Sequence, residues 1–414
     1  MPKLTKMTLL NYKSITSATV DFSDFTVLLG RNGSGKSNVA DALAFMAEAT
    51  VLPLPAVFNR RGGPAGVIRK RPIRTTSEQK GLPMGLAFEF DNLQPPPQPD
   101  HPGAVRIKSA RYAVEIHVGR FGFDITREQC WVSDHAGNRS WFDRKHQEFA
   151  SNVDFLKDLP ESIVAKDALA IPLVGGIQPF RFFVGVLKSM GVYAIDPSKL
   201  REFQDPDSGA RLLPDGSNAA SVLRELSTSD PDRVLRLFEV LASVVPELRN
   251  ARAHISGRKQ ILKFTQRWSE KESLTFDSFN MSDGTLRAFG LLLAIFQIPR
   301  PSIIVIEEPE ISLHPAATSV ILDLLKSISS NTQVICTTHS AEVLDHIEPS
   351  GDNLRVVTWK DGETRVGQVA GVARHALEEH LSTAGELLRM RILDAEPIFD
   401  ESVDPQRSLF EEVV

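Results

Sequence analysis

The chain has 414 residues, 42% of them hydrophobic and 24% charged, with a formal net charge of −5. That length allows two or three domains, or one large domain with insertions, around an ordinary hydrophobic core. Two cysteines far apart, Cys130 and Cys336, exclude a disulfide scaffold or a zinc cluster, and no run reaches the roughly 18 apolar residues of a membrane helix. The N-terminus MPKLTKMTLL lacks the layout of a signal peptide, so a reducing cytoplasm is the expected location.

The charge is unevenly placed. Residues 395–414 carry Glu396, Asp400, Glu401, Asp404, Glu411 and Glu412 against Arg407, which leaves the remainder of the chain neutral. Ile398, Phe399, Leu409 and Phe410 are the apolar residues of that acidic tail, candidate anchors for a partner protein. Within the neutral remainder, Arg60, Arg61, Arg69, Lys70, Arg71, Arg74 and Lys80 face Glu78 alone over residues 60–80. Such a segment suits a phosphate backbone or an acidic partner, and it equally suits a solvated loop.

In chain order, KMTLLNY, SATVDF and FTVLLG predict strands over residues 3–30. The last is apolar on both faces, as in a buried central strand. It stops at Gly30, and a helical pattern begins at Ser37. MGLAFEF, YAVEIHV and FDITREQCWVS predict more strands, interrupted by the proline-rich QPPPQPDHPG. Residues 147–245 read as mostly helical, and 254–280 return to short strands. From Met281 helix and strand alternate: helix 282–297, strand SIIVIE, helix 315–329, strand QVICTT, helix 340–347, strand LRVVTW. That alternation predicts a parallel sheet with crossover helices.

Four motifs carry chemistry. Gly30, Arg31, Asn32, Gly33, Ser34, Gly35, Lys36 and Ser37 match G-x-x-x-x-G-K-[ST], and Asn38 follows. Glycines let backbone N–H groups close around phosphates, the helix N-terminus adds positive charge, Lys36 reaches the β- and γ-phosphates, and Ser37 ligates Mg²⁺. The expected ligands are therefore ATP and Mg²⁺. The run Ser302–Glu308 is an apolar strand ending in two acids, a Walker B pattern with Glu307 near the metal and Glu308 as general base. Glu307 stands where an Asp is usual, which leaves open slow hydrolysis. His339, 31 positions after Glu308 and at the end of another apolar strand, is placed to meet the γ-phosphate and the attacking water. Finally, Ser282-Asp-Gly284-Thr-Leu-Arg287 opens a helix about 25 residues before the acids; in isolation it is an ordinary N-cap.

This order of motifs resembles the ABC-type ATPases of the SMC, RecF and OLD-like branch. The likeness is close over residues 3–42 and 280–345 and holds for 43–279 only in general layout. It implies an α/β fold: an ABC-ATPase head with a mixed central sheet, N-terminal antiparallel strands and a helical insertion. The implied layout is an N-terminal ATPase lobe over 1–146 and a mainly helical insertion over 147–279. A C-terminal ATPase lobe would follow over 280–370, then a helix and acidic tail over 371–414. The resemblance also implies a homodimer or higher homo-oligomer in which Ser282 and Gly284 bind the nucleotide held by the partner and Glu310–His314 lines the interface. No Q-loop is evident beyond Gln178. The expected function is an ATP-driven dimeric switch, the ATPase subunit of a bacterial anti-phage or nucleic-acid-processing system that controls a separate nuclease or toxin, away from membranes. The alternatives are a RecF- or SMC-like factor that clamps DNA itself, and an ATP-binding scaffold that hydrolyses little.

Overall fold

The computed structural model describes residues 1–70, 83–93, 107–119, 122–157, 164–269, 272–397 and 409–412. Arg71, Arg74, Lys80, the proline-rich run from Gln94 to Gly103, and Ile398–Arg407 lie outside them. The chain forms two compact units: Met1–Met190 with Pro349–Ser382 and Met390–Val414, and Gly191–Glu348 with Thr383–Arg389. Strands are numbered in chain order.

The first unit holds a seven-stranded antiparallel sheet. Its strands are β1 (Lys3–Tyr12), β2 (Ile15–Asp21), β4 (Pro83–Asp91), β5 (Ile107–Gly119), β6 (Gly122–Asp134), β7 (Arg139–Lys145) and β8 (Glu148–Ser151), in the order β2-β1-β4-β5-β6-β7-β8. The register sets Met7, Phe88, Tyr112, Cys130 and Phe142 side by side across five strands, all fully buried. Such a row of cross-strand apolar neighbours fixes the sheet's register, because a one-residue slip would turn it to the other face. Leu409 returns to this sheet and is buried against Ala87 and Ala113, with Phe410 beside it. Arg111 Nη2 donates to the Leu409 carbonyl at 2.7 Å, and Gln129 exchanges hydrogen bonds with the Glu411 backbone at 2.9 and 3.2 Å. Leu409 and Phe410, expected as anchors for another protein, are thus used within the chain.

The same unit contains β3 (Phe25–Leu29), every residue of which is buried, as its apolar run predicts. β3 pairs in parallel with β15 (Leu354–Lys360), and β15 pairs antiparallel with β16 (Glu363–Val369), which pairs with β17 (Ala395–Pro397). In the second unit β9 (Gly191–Tyr193), β13 (Ile303–Glu307) and β14 (Gln333–Thr338) run parallel, with β13 between the others. A separate antiparallel sheet joins β10 (Leu248–Ser256), β11 (Lys259–Arg267) and β12 (Ser273–Asp277). Phe289, on the helix Asp283–Phe296, stacks with Phe238 and meets Phe264 edge-on, which seats that helix in the second unit's core.

The α/β class with a mixed set of strands is as expected, but the units do not follow the four expected segments. The insertion expected over 147–279 divides at Gly191, because β9 bonds to β13 and draws the chain after it into the second unit. The lobe expected over 280–370 divides at Pro349, because β15 bonds to β3. The segment expected as 371–414 also divides: Thr383–Arg389 belongs to the second unit, where Arg389 pairs with Asp345 at 2.6 Å.

Candidate functional site

The residues singled out by sequence fall into two groups, one in each unit. In the first, β3 ends at Leu29 and the chain turns through Gly30–Gly35 into the helix Lys36–Ala49. That helix is rich in Ala, with Leu and Met, all strong helix formers. Its N-cap is Gly35, which offers no side-chain hydrogen bond, and no acid stands in its first turn. The dipole at this end of the helix favours negative charge, and no side chain competes for the site as a cap. Two glycines are needed sterically. Gly35 sits at φ 107°, and a Cβ there would lie 2.2 Å from Thr364 Oγ1; a Cβ on Gly30 would lie 2.3 Å from the Val357 carbonyl.

Thr364, on β16, braces the loop by donating to the Ser34 carbonyl at 2.8 Å. Ser14 lies 2.6 Å from the Thr364 hydroxyl. Asn38 donates its side-chain amide to Ser14 at 2.5 Å, so this expected nucleotide ligand acts as a strut. Lys36 is buried, and its ammonium donates to the Gly30 and Arg31 carbonyls at 2.7 and 3.3 Å. Arg31, Asn32, Gly33 and Ser37 are exposed, while Ser34 Oγ is buried without a hydrogen-bond partner. Thr364 and Ser14 escaped sequence reading, since a lone threonine at the start of a strand carries no local signal.

The basic segment is partly consumed beside this loop. Arg61 bonds Asp41 at 2.9 Å and Glu48 at 3.0 Å, and Arg69 bonds Glu363 at 3.1 Å, with only 7% and 14% of the two side chains exposed. These two cations serve the fold. Gln178 is exposed in the turn before the helix Phe180–Lys188.

In the second unit, β13 is buried from Ile303 to Ile306 and delivers Glu307 opposite Thr337 of β14. Glu308 follows with φ 46°, a left-handed conformation that costs a non-glycine residue on the order of 1–3 kcal/mol and is typical of functional positions. Its N–H is held by the Thr337 carbonyl at 3.0 Å and hydroxyl at 3.1 Å. His339 Nδ1 lies 3.2 Å from Glu308 Oε1 and 3.7 Å from Glu310 Oε1. Imidazole beside carboxylate is a base with its orienting partner. Glu310, expected at an interface, turns inward: Oε1 accepts the Thr338 hydroxyl at 2.7 Å, and Oε2 is buried without a hydrogen bond. His314 likewise caps its own helix, Pro315–Ile328, through Nδ1. A cavity of about 530 Å³ adjoins Glu310 and His339, walled by Leu313, Leu322 and Val343.

Ser282 is exposed and N-caps the helix Asp283–Phe296, accepting from the Thr285 N–H at 3.2 Å. Arg201 pairs with Asp283 and donates to the Met281 carbonyl at 3.0 Å, pinning the turn. A Cβ on Gly284 would lie 2.7 Å from the Ser312 carbonyl, so glycine here permits a close approach of the loop after Glu308. Five residues past Ser282, Arg287 is buried, and its guanidinium donates to the carbonyls of Glu307 and Glu308 at 3.1 and 2.8 Å. Burial lowers its pKa, opposed chiefly by the carboxylates of Glu310 and Glu308. An arginine inside the apolar run LRAFGLLLAIF was the one signal for it in the sequence.

A family model described as an AAA ATPase domain matches residues 2–108. Another, described as an AAA domain, putative AbiEii toxin, type IV TA system, matches residues 187–345. The solved Smc head bound to the C-winged helix domain of ScpA aligns with a TM-score of 0.50 at 16% identity, over 90% of this chain and 99% of that one. AAA ATPase family models thus match two parts of the chain, and its fold is that of an Smc head domain. Two further head domains align with lower TM-scores. One, from Pyrococcus furiosus, scores 0.48 at 16% identity over 92% of this chain and all of its own. The other, from Thermotoga maritima, scores 0.38 at 14% identity over 89% and 100%. A search of curated proteins gives no match. Among the described residues no helix is long and apolar enough to cross a membrane.

Proposed function

We propose that the chain binds ATP at Gly30–Ser37, hydrolyses it with Glu308 as general base and His339 as its orienting partner, and works as a nucleotide-sandwich dimer. The observation that carries the reading is the entry to the helix Lys36–Ala49, which uses glycines at Gly30 and Gly35 where a Cβ would clash, lacks a side-chain cap and has the Lys36 ammonium folded into its loop. The orphaned Ser34 Oγ adds a buried polar atom suited to a phosphate oxygen. Ser37 hydroxyl and Glu307 carboxylate are oxygen donors fit for a hard cation. Mg²⁺, when bound, would offset the repulsion among β- and γ-phosphate oxygens.

In this reading Ser282 and Gly284 close on the nucleotide of the partner protomer. The family description naming a putative AbiEii toxin of a type IV TA system supports a place in a defence system; a separate effector chain is part of the proposal. A DNA-clamping role draws less support, because Arg61 and Arg69 are engaged in ion pairs.

The test compares Glu308→Gln with Ser282→Arg under Mg-ATP. Glu308→Gln keeps the binding contacts and removes the base, so ATP should persist and shift the protein towards dimer. Ser282→Arg puts bulk and charge at an exposed turn, so ATP should bind without that shift, and turnover should vanish in both. Wild-type turnover in Ser282→Arg, with unchanged size in Glu308→Gln, would overturn the sandwich.

A further inference from the structure

We infer that Arg287 is a positioning residue for hydrolysis: it fixes the backbone that aims Glu308, and it ties that aim to the signature turn of the same protomer. The inference rests on the proposed roles of Glu308 and the Ser282 turn. Glu308 is held in its left-handed conformation from both sides. Thr337 holds its N–H through a carbonyl and a hydroxyl, and Arg287 holds its carbonyl at 2.8 Å together with that of Glu307. The other guanidinium nitrogen, Nη1, donates to the Ile195 carbonyl at 2.6 Å, just beyond the end of β9. One buried side chain therefore spans the ends of two adjacent parallel strands.

The lever for that clamp is the helix Asp283–Phe296, whose first turn is the signature motif. A second contact runs the same way. Gly284 has room only for hydrogen against the Ser312 carbonyl, and Ser312 itself has φ 63°. A displacement of the Ser282–Gly284 turn, as on closure over a partner's nucleotide, is thus passed to the Glu307–Ser312 backbone at two points. The consequence is that each protomer's base responds to what its own signature turn has gripped.

Lysine tests this well. Its single ammonium keeps the charge but lacks the planar fork that reaches three carbonyls. Arg287→Lys should lose at least about ten-fold in kcat, since small misplacement of a reacting group has effects of that order. The dissociation constant for a fluorescent ATP analogue should stay within about two-fold, because the Arg287 guanidinium serves the carbonyls of Ile195, Glu307 and Glu308. Thr337→Val removes the hydroxyl holding the other side of Glu308 with little change of shape. It should lower kcat in the same sense, and the double variant should lose less than the product of the two single losses. Wild-type kcat in a folded Arg287→Lys, or a loss wholly in ATP affinity, would overturn the inference. If thermal melting shows Arg287→Lys unfolded, Thr337→Val decides alone, and wild-type kcat there overturns it. The wild type and Glu308→Gln run in the same assay. Absence of wild-type turnover would defeat the ATPase reading itself, whereas normal turnover with unaffected clamp variants would defeat the clamp alone.

Discussion

Single atoms decide the phosphate loop. The Cβ that alanine would add at Gly35 falls 2.2 Å from Thr364 Oγ1 at a φ that L-residues resist, so Gly35→Ala should displace either Thr364 or the loop. ATP affinity should drop sharply in isothermal titration while the unfolding midpoint moves only slightly, because the strain is local. Lys36→Ala should abolish measurable ATP binding, since the ammonium is the loop's main positive charge for the β- and γ-phosphates. Near-normal affinity in that variant would remove the nucleotide assignment. At Glu308 the sequence specifies the carboxylate, but its direction depends on the left-handed φ that Thr337 and Arg287 sustain.

At the scale of elements, the antiparallel sheet of the first unit is stapled twice. Glu128 is wholly buried on β6. Its carboxylate accepts the Ala170 and Ile171 N–H groups at 2.7 and 2.8 Å and the Tyr112 hydroxyl at 3.0 Å, with Arg144 3.7 Å away. Burial raises its pKa, while those hydrogen bonds and Arg144 pull it down. Glu128→Gln would leave Arg144 unpaired and point an amide at a backbone donor. Denaturant unfolding should show a loss on the order of 3 kcal/mol, as for other broken buried pairs. The second staple is Leu409 on Ala87 and Ala113. Leu409→Ala should destabilise by about 2 kcal/mol or more, read from the urea midpoint, without weakening ATP binding. An unchanged midpoint would mean that the C-terminal segment contributes nothing to this unit.

For the whole molecule, the proposed sandwich would make turnover a property of pairs. Specific ATPase activity should rise with protein concentration while protomers associate, then level off, because mass action governs how many sites are complete. Activity per protomer that stays constant down to concentrations where light scattering reports monomer would exclude the sandwich. Sizing in ATP and in ADP checks the same point from the binding side.

Elements with strong local signals were legible from the sequence. The apolar runs FTVLL, SIIVIE and QVICTT became buried strands, and the glycine loop entered a helix at Lys36, because both depend on nearest-neighbour chemistry. Ser282 was legible as an N-cap for the same reason. The division of the chain was not legible, since it follows from β9 pairing with β13 and β15 with β3, hydrogen bonds between residues far apart in sequence. Nor could composition reveal that Arg61 and Arg69 neutralise internal acids, that Leu409 packs under its own sheet, or that Thr364 braces the phosphate loop. Sequence determines which groups the chain carries and the local geometry each prefers. Only the tertiary fold decides which distant group each one meets, and for Arg287 that meeting sets the position of Glu308.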